Sequence, residues 1–470
     1  MSEQQLPQQG QQGTPTPPAQ TQQTQPQPQN MAQQTPQKTQ AVPVFTSSVN
    51  APTQNFLQEF EQLLKAQESE ATFGEAKDSA IVRLVDLIVS HGYYSKASDV
   101  HIDPERSRTV VRFRIDGVMQ DIVVIPKEIH NFFITRIKIL AKLRTDEHQV
   151  PQDGKLEYIF GQDIIDVRVS IVPTTKGENI VMRLLSAKAR DFSLEKIGLS
   201  AGDYATLVKN IKKPWGMILA TGPTGAGKTT TLYGVLKILN QRDVSVVTIE
   251  DPVEYNIDGV TQIQIRAGSA LTFASGLRAI VRQDPNIIMV GEIRDEETAD
   301  IAVNSAMTGH IVLSSLHTND AATALPRFVE MGVKPFLIGS TINAVIGQRL
   351  VRKICQACLT STDYTLAQLA QKIPPNIVTA LQQRGKEQIK LYNGSGCMTC
   401  QKTGYSGRIG IFELLEMTEK IRGLVMQNAD AGAIQKAAVE QGMRTMFENA
   451  LDRVLEGQTT LEEMLRVIKI

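Results

Sequence analysis

The eight residues Gly222-Pro223-Thr224-Gly225-Ala226-Gly227-Lys228-Thr229 constrain this chain more tightly than any other stretch. They fit the pattern of a glycine, four residues, then Gly-Lys-[Ser/Thr]. Glycines let the backbone curl so that several N–H groups converge on one phosphate. The lysine ammonium neutralises the outer phosphates, and the threonine hydroxyl suits a magnesium ion. The flanks agree with that chemistry. Trp215 to Thr221 is a short apolar run, readable as a buried strand, and the residues from Thr229 through Leu239 read as a helix. A loop between strand and helix also aims the helix dipole at an anion. Gly222, Pro223, Thr224, Gly225, Ala226, Gly227, Lys228, Thr229 and Thr230 are therefore the candidate cradle for a nucleoside triphosphate, with Thr229 as the magnesium ligand. The competing reading is a structural glycine turn.

A chain of 470 residues is too long for one ordinary core, so two or three domains are expected. Lys and Arg number 49, as do Asp and Glu, so the overall charge gives no reason to expect direct nucleic-acid binding. No apolar stretch approaches a bilayer span, and the amino terminus lacks a charged-then-apolar leader. The expectation is a cytoplasmic protein, held peripherally at a membrane only through partners.

Composition then divides the chain. Residues 1–55 are rich in Gln, Pro and Thr and poor in large apolar residues, and are expected to be a disordered tail. Phe56, Leu57, Phe60, Leu63 and Leu64 recur at helical spacing. Residues 56–187 are expected to be a small α+β domain. Thr109 to Ile115 alternates and stops at Asp116-Gly117, a hairpin signal, and Met119 to Ile125 returns. Val167, Val169 and Ile171 share one strand face, and Asp166, Arg168 and Ser170 the other. Residues 188–199 read as a linker. In 200–416, the apolar runs Met217 to Thr221, Val244 to Ile249, Asn286 to Val290 and Ile311 to Ser315 alternate with helices, which predicts a largely parallel α/β sheet. Residues 417–470 read as helical.

Several constellations could carry chemistry. Asn286 to Val290 is an apolar strand followed by Gly291-Glu292, and Glu292 is the candidate that orients or deprotonates an attacking water. Glu250, Asp251 and Glu254 cluster after another strand, where carboxylates can bind magnesium or position water; a polar loop is the alternative. Arg278 and Arg282 share a helical face suited to phosphates or a neighbouring subunit, or simply to solvent. His317 closes the run Ile311 to Leu316, where it would sense a terminal phosphate or serve structure alone. Cys355-x-x-Cys358 and Cys397-x-x-Cys400 match a closed tetrahedral zinc site in an insertion at about 353–405, with a redox pair as the rival.

Together these pieces resemble the secretion-ATPase superfamily of type II secretion and type IV pilus assembly motors, from about Ser95 to the carboxyl terminus. The resemblance rests on Ala97 to Ile102, Pro151 to Gly154, the phosphate loop, Glu250 to Glu254, Arg278 to Pro285, Gly291 to Asp295, Thr308 to Asn319 and Gly404 to Arg408. It implies a homo-hexameric ring of subunits, each pairing a PAS-like domain with a RecA-like P-loop domain. ATP and Mg2+ would bind between them, and Zn2+ at the four cysteines. It also implies that Arg168 and Arg183 of the first domain close on the nucleotide. Hydrolysis would drive an inner-membrane platform protein of a pilus or secretion machine. The chain departs from the family at Lys155, where an arginine is usual, and in its Gln/Pro-rich tail, which stands where members often carry a further domain. The rival expectations are a DNA-uptake or conjugation ATPase, or a non-hydrolysing assembly scaffold.

Overall fold

The computed structural model describes residues 42–47, 56–68, 75–186, 193–266, 269–371, 373–385 and 388–468. Most of the expected tail, and linker residues 188–192, lie outside them. One part of the tail expectation is corrected. Val44–Thr46 is a strand lying parallel to Gln152–Phe160, with Val44 opposite Glu157 and Thr46 opposite Ile159. Three residues among prolines and glutamines carry too little pattern to be read as a strand alone. Their pairing comes from an edge formed about a hundred residues later.

The first sheet has seven strands in the order Val44–Thr46, Gln152–Phe160, Asp163–Thr174, Gly177–Ser186, Ala97–Pro104, Arg108–Ile115 and Val118–Pro126. Beyond the first pair, all neighbours are antiparallel. The sheet buries Val167, Val169 and Ile171, along with Val100, Val111 and Phe113. Phe56, Leu84, Ile88, Phe133 and Ile137, from three helices, pack against them in one core. Asp166 stays exposed and Arg168 half-buried, as strict alternation requires.

The second sheet runs Thr261–Gln264, Val246–Glu250, Ile287–Val290, Ile311–Leu316, Gly216–Thr221, Ile342–Ile354 and Tyr405–Glu416. Its neighbours are parallel except the last pair. Met217 and Leu219 enter one core cluster, while Ile218 and Ala220 enter another. Helices thus cover both faces, which is why these strands read as unbroken apolar runs rather than alternating ones. The long antiparallel pair brackets the cysteine-bearing insertion. Cys355 follows directly on Ile354, and Tyr405 begins the return. Between them lie a two-stranded ribbon, Leu359–Thr365 with Gln388–Gly394, and two short helices. Four helices close the chain: Glu419–Met426, Ala431–Glu440, Met446–Leu455 and Leu461–Val467.

Candidate active site

Four of the parallel strands, Gly216–Thr221, Val246–Glu250, Ile287–Val290 and Ile311–Leu316, deliver parts of a cleft at their carboxyl ends, where open α/β sheets bind ligands. Strand Gly216–Thr221 runs into the glycine loop, and helix Lys228–Leu239 leaves it. Two glycines are obligatory there. Gly222 has φ 146°, and a Cβ on it would lie 2.6 Å from the Gln348 carbonyl oxygen. Gly227 has φ 88° immediately before the helix. The buried Gln348 side chain donates to the Ala226 carbonyl at 2.7 Å, so a neighbouring strand braces the loop. Lys228 Nζ donates to the carbonyls of Gly222 (2.8 Å) and Pro223 (3.3 Å). Burial lowers its pKa, and the Glu292 carboxylate acts in the opposite direction. Thr229 is exposed on the cleft at the helix amino terminus.

Glu292 follows strand Ile287–Val290 and is clasped from two sides. Arg294 donates to one oxygen, and His317 Nε2 lies 2.9 Å from the other. Ser314 and Ser315, on the strand before His317, donate to the carbonyls of Val290 (2.7 Å) and Gly291 (2.8 Å), locking the two strand ends in register. Burial works against the Glu292 carboxylate, but its bonds to Arg294 and His317 outweigh it and hold the pKa below the ordinary glutamate value. The result is an ionised acceptor facing the phosphate loop.

Glu250 is a different kind of acid. It is 2% exposed and accepts from Tyr233 (2.5 Å), Thr248 (2.6 Å) and Gln262 (3.2 Å). Burial raises its pKa against those three donors. It forms the floor of the cleft and ties three elements together. Glu254 pairs with Arg168 at 3.4 Å, and Arg168 also donates to the Val253 carbonyl at 2.7 Å. Arg168 comes from the first sheet, so this contact spans the two halves of the molecule. Arg183, also from the first sheet, lines the cleft and is held by Asp99 at 3.1 Å, with Arg114 on the other Asp99 oxygen at 3.3 Å.

The cleft encloses about 1010 Å³ and brings together the phosphate loop, Glu250, Glu254, Glu292, His317 and Arg183. Arg278 and Arg282 do not line it. Arg278 pairs with Glu297, and Arg282 donates to the Arg278 carbonyl at 3.0 Å; both side chains are exposed, while Leu277 and Ile280 of the same helix are buried in the core. Five arginines that were not candidates from the sequence do line it: Arg114, Arg294, Arg349, Arg408 and Arg466. Arg294 had a local signal, two residues beyond Glu292. Arg349 and Arg466 had none, because only the folding of the carboxyl-terminal elements onto the core brings them there.

The four cysteines converge as a separate centre, with all their Sγ atoms within 4.8 Å of one another. Cys355 lies 3.9 Å from Cys397, Cys358 3.8 Å from Cys400, and Cys397 3.7 Å from Cys400. A tetrahedron with Zn–S bonds of about 2.3 Å has edges of roughly 3.8 Å, so the donor set fits zinc. The amides of Cys397 (3.2 Å) and Gly404 (3.3 Å) donate to the Cys400 sulfur. Burial disfavours the Cys400 thiolate, but those amides and the neighbouring thiols prevail and bring its pKa to about 6.

The fold and the cleft define a P-loop ATPase of α/β architecture carrying a four-cysteine centre. Residues 74–466 match the family described as Type II/IV secretion system protein, and the chain belongs to that family. It is similar to type II secretion system protein HxcR of Pseudomonas aeruginosa, with 43% identity over 396 residues, covering 84% of this chain and 79% of that one. It is 45% identical to type II secretion system protein E of Xanthomonas campestris pv. campestris over 83% of this chain and 68% of that one. It is 40% identical to the type IV pilus assembly ATPase PilB of Myxococcus xanthus over 83% of this chain and 68% of that one. Among solved structures, the Legionella pneumophila ATPase DotB shares the fold at TM-score 0.59 and 20% identity, covering 81% of this chain and 93% of that one. The pilus retraction motor PilT with bound ADP does so at TM-score 0.55 and 24% identity, covering 81% and 95%. Among the described residues, no helix is long and apolar enough to cross a membrane.

Proposed function

We propose that this chain is the ATP-hydrolysing motor subunit of a type IV pilus assembly or type II secretion machine, working as a homo-hexamer at the inner face of the membrane through a platform protein. The observation that carries the reading is Glu292: an ionised carboxylate, aimed by His317 and Arg294, across the cleft from Lys228. In this reading the amides of Gly222 to Thr229 and the Lys228 ammonium hold the phosphates of ATP. Thr229 holds Mg2+, which when bound supplies charge neutralisation across them. Glu292 accepts a proton from the attacking water. Arg183 and Arg168, from the first domain, which we read as PAS-like from its mostly antiparallel sheet backed by helices, answer the nucleotide's charge and let its presence set the closure of the cleft. Zn2+ at Cys355, Cys358, Cys397 and Cys400 has four protein ligands and no open position, so its role is structural.

ATP turnover by the purified chain tests the assignment. Wild type should release phosphate, Lys228→Ala should neither bind ATP tightly nor release phosphate, and Glu292→Gln should bind ATP without releasing phosphate. Release by Glu292→Gln at the wild-type rate would overturn the assignment of the base.

A further inference from the structure

Immediately after Cys400 the chain turns through two left-handed residues, Gln401 (φ 51°) and Lys402 (φ 62°). The turn is wound tightly on the cysteine cluster. The Lys402 amide donates to the Cys397 carbonyl at 2.8 Å, and that of Thr403 to the Cys400 carbonyl at 3.0 Å. The Gly404 amide donates to the Cys400 sulfur at 3.3 Å. Close backbone approach leaves no slack: a Cβ on Gly396 would lie 2.7 Å from the Lys402 carbonyl oxygen. The positions of the sulfurs therefore dictate where Gln401 reaches.

Gln401 reaches the other half of the molecule, donating through Nε2 to Ser95 Oγ at 2.8 Å. Six residues later the amide of Gly407, itself at φ 79°, donates to the Asp116 carboxylate at 2.8 Å. Ser95 begins the turn after helix Glu75–Tyr94, and Asp116 sits with Gly117 at the tip of the hairpin. Asp116, Gly117 and Arg408 line the nucleotide cleft. Polar ties thus join the two halves at separate places: Arg168 with Glu254, and the cysteine knuckle and the strand that follows it with Ser95 and Asp116.

We propose that the four-cysteine knuckle is the fixed post of the nucleotide cleft. With a tetrahedral metal on Cys355, Cys358, Cys397 and Cys400, Gln401 and Gly407 hold the first domain at Ser95 and Asp116, so nucleotide affinity follows metal occupancy. The proposal rests on the reading of the cysteines as a zinc site. It joins two sites by a defined pair of hydrogen bonds, one of them to a charged group, and such a pair couples them by about tenfold. Linkage makes the effect reciprocal: ADP tightens zinc binding by the same factor.

The experiment uses the full chain, zinc added as the probe metal, a fluorescent ADP, metal analysis and circular dichroism. Zinc-loaded and chelator-stripped wild type are compared with the double variant Gln401→Ala/Asp116→Ala. Stripping should weaken ADP binding by wild type about tenfold. The zinc-loaded double variant should show the same weakening and no further response to stripping. Less than about half an equivalent of zinc per chain after loading overturns the metal reading and the post with it. A full equivalent of zinc, with wild-type ADP affinity in the double variant, overturns the post alone, as does a double variant that still responds fully to stripping. If stripped protein loses its fold, the zinc-loaded single variant Gln401→Ala, which leaves the cleft-lining Asp116 in place, decides: weakened ADP binding is expected, and wild-type ADP affinity overturns the post.

Discussion

Glu292 depends on neighbours from both sides, Arg294 two residues on and His317 at the end of the adjacent strand. General-base removal typically costs between about a hundredfold and ten-thousandfold, and Glu292→Gln should fall in that range for phosphate release while ATP affinity is kept. His317→Ala leaves the carboxylate and Arg294 in place, so the loss should be smaller, about tenfold. Equal losses for the two variants would place His317 on the reacting atoms instead. Glu250, although it reaches the same cleft, meets three donors with its two oxygens. Glu250→Gln turns an NH2 group toward hydroxyls or an amide that already donate, a mismatch worth about 1–3 kcal/mol. A lowered melting temperature with near-wild-type turnover per folded molecule is the expected signature. Wild-type stability with lost turnover would make Glu250 a member of the chemistry.

At the scale of elements, the last helix shows how the carboxyl-terminal region is fastened. Glu463, 1% exposed, accepts from the Arg352 amide (3.0 Å) and guanidinium (2.8 Å) on strand Ile342–Ile354, and from Arg466 one turn along its own helix (2.6 Å). Burial works against the carboxylate, but these bonds more than compensate and bring its pKa from 4.5 to about 2. A depressed carboxyl pKa stabilises the fold above the unfolded value and ceases to do so as pH falls through the folded value. The contribution, at most about 3 kcal/mol, should therefore be complete at neutral pH and shrink between about pH 4.5 and pH 2. Urea unfolding of wild type and Glu463→Gln should differ clearly at pH 7 and by less than about half as much at pH 3; a gap unchanged at pH 3 would mean that packing rather than charge fastens this helix. The fastening also explains what the sequence could and could not disclose. Met217 to Thr221 was legible because burial on both faces leaves an unbroken apolar run. Strand Ile342–Ile354 was not, because Asn343, Gln348, Arg349 and Arg352 interrupt it, each held by a partner distant in sequence or serving the cleft. Lys228 and the cysteines were legible because their chemistry depends on local spacing. Arg466 was not, because it lines the cleft only after its helix docks on a strand more than a hundred residues earlier.

At the scale of the whole molecule, two separately packed cores meet at the cleft; the first sends Arg183 to its lining and Arg168 to Glu254 and the Val253 carbonyl. Arg168 grips the segment that carries Glu254, so each catalytic cycle that alters the acid side of the cleft also loads the joint between the halves. Whether neighbouring subunits of the proposed ring feel that load can be read from rings that contain inert subunits. Glu292→Gln subunits should still bind ATP and enter the ring, so rings assembled from mixtures report how far the subunits depend on one another. If subunits fire independently, a half-and-half mixture keeps about half the wild-type turnover; if one inert subunit stalls all six, about 2% remains. Turnover that falls linearly with the inert fraction would show that closure of one cleft is not transmitted to the next, and the role of Arg168 would then end at its own nucleotide.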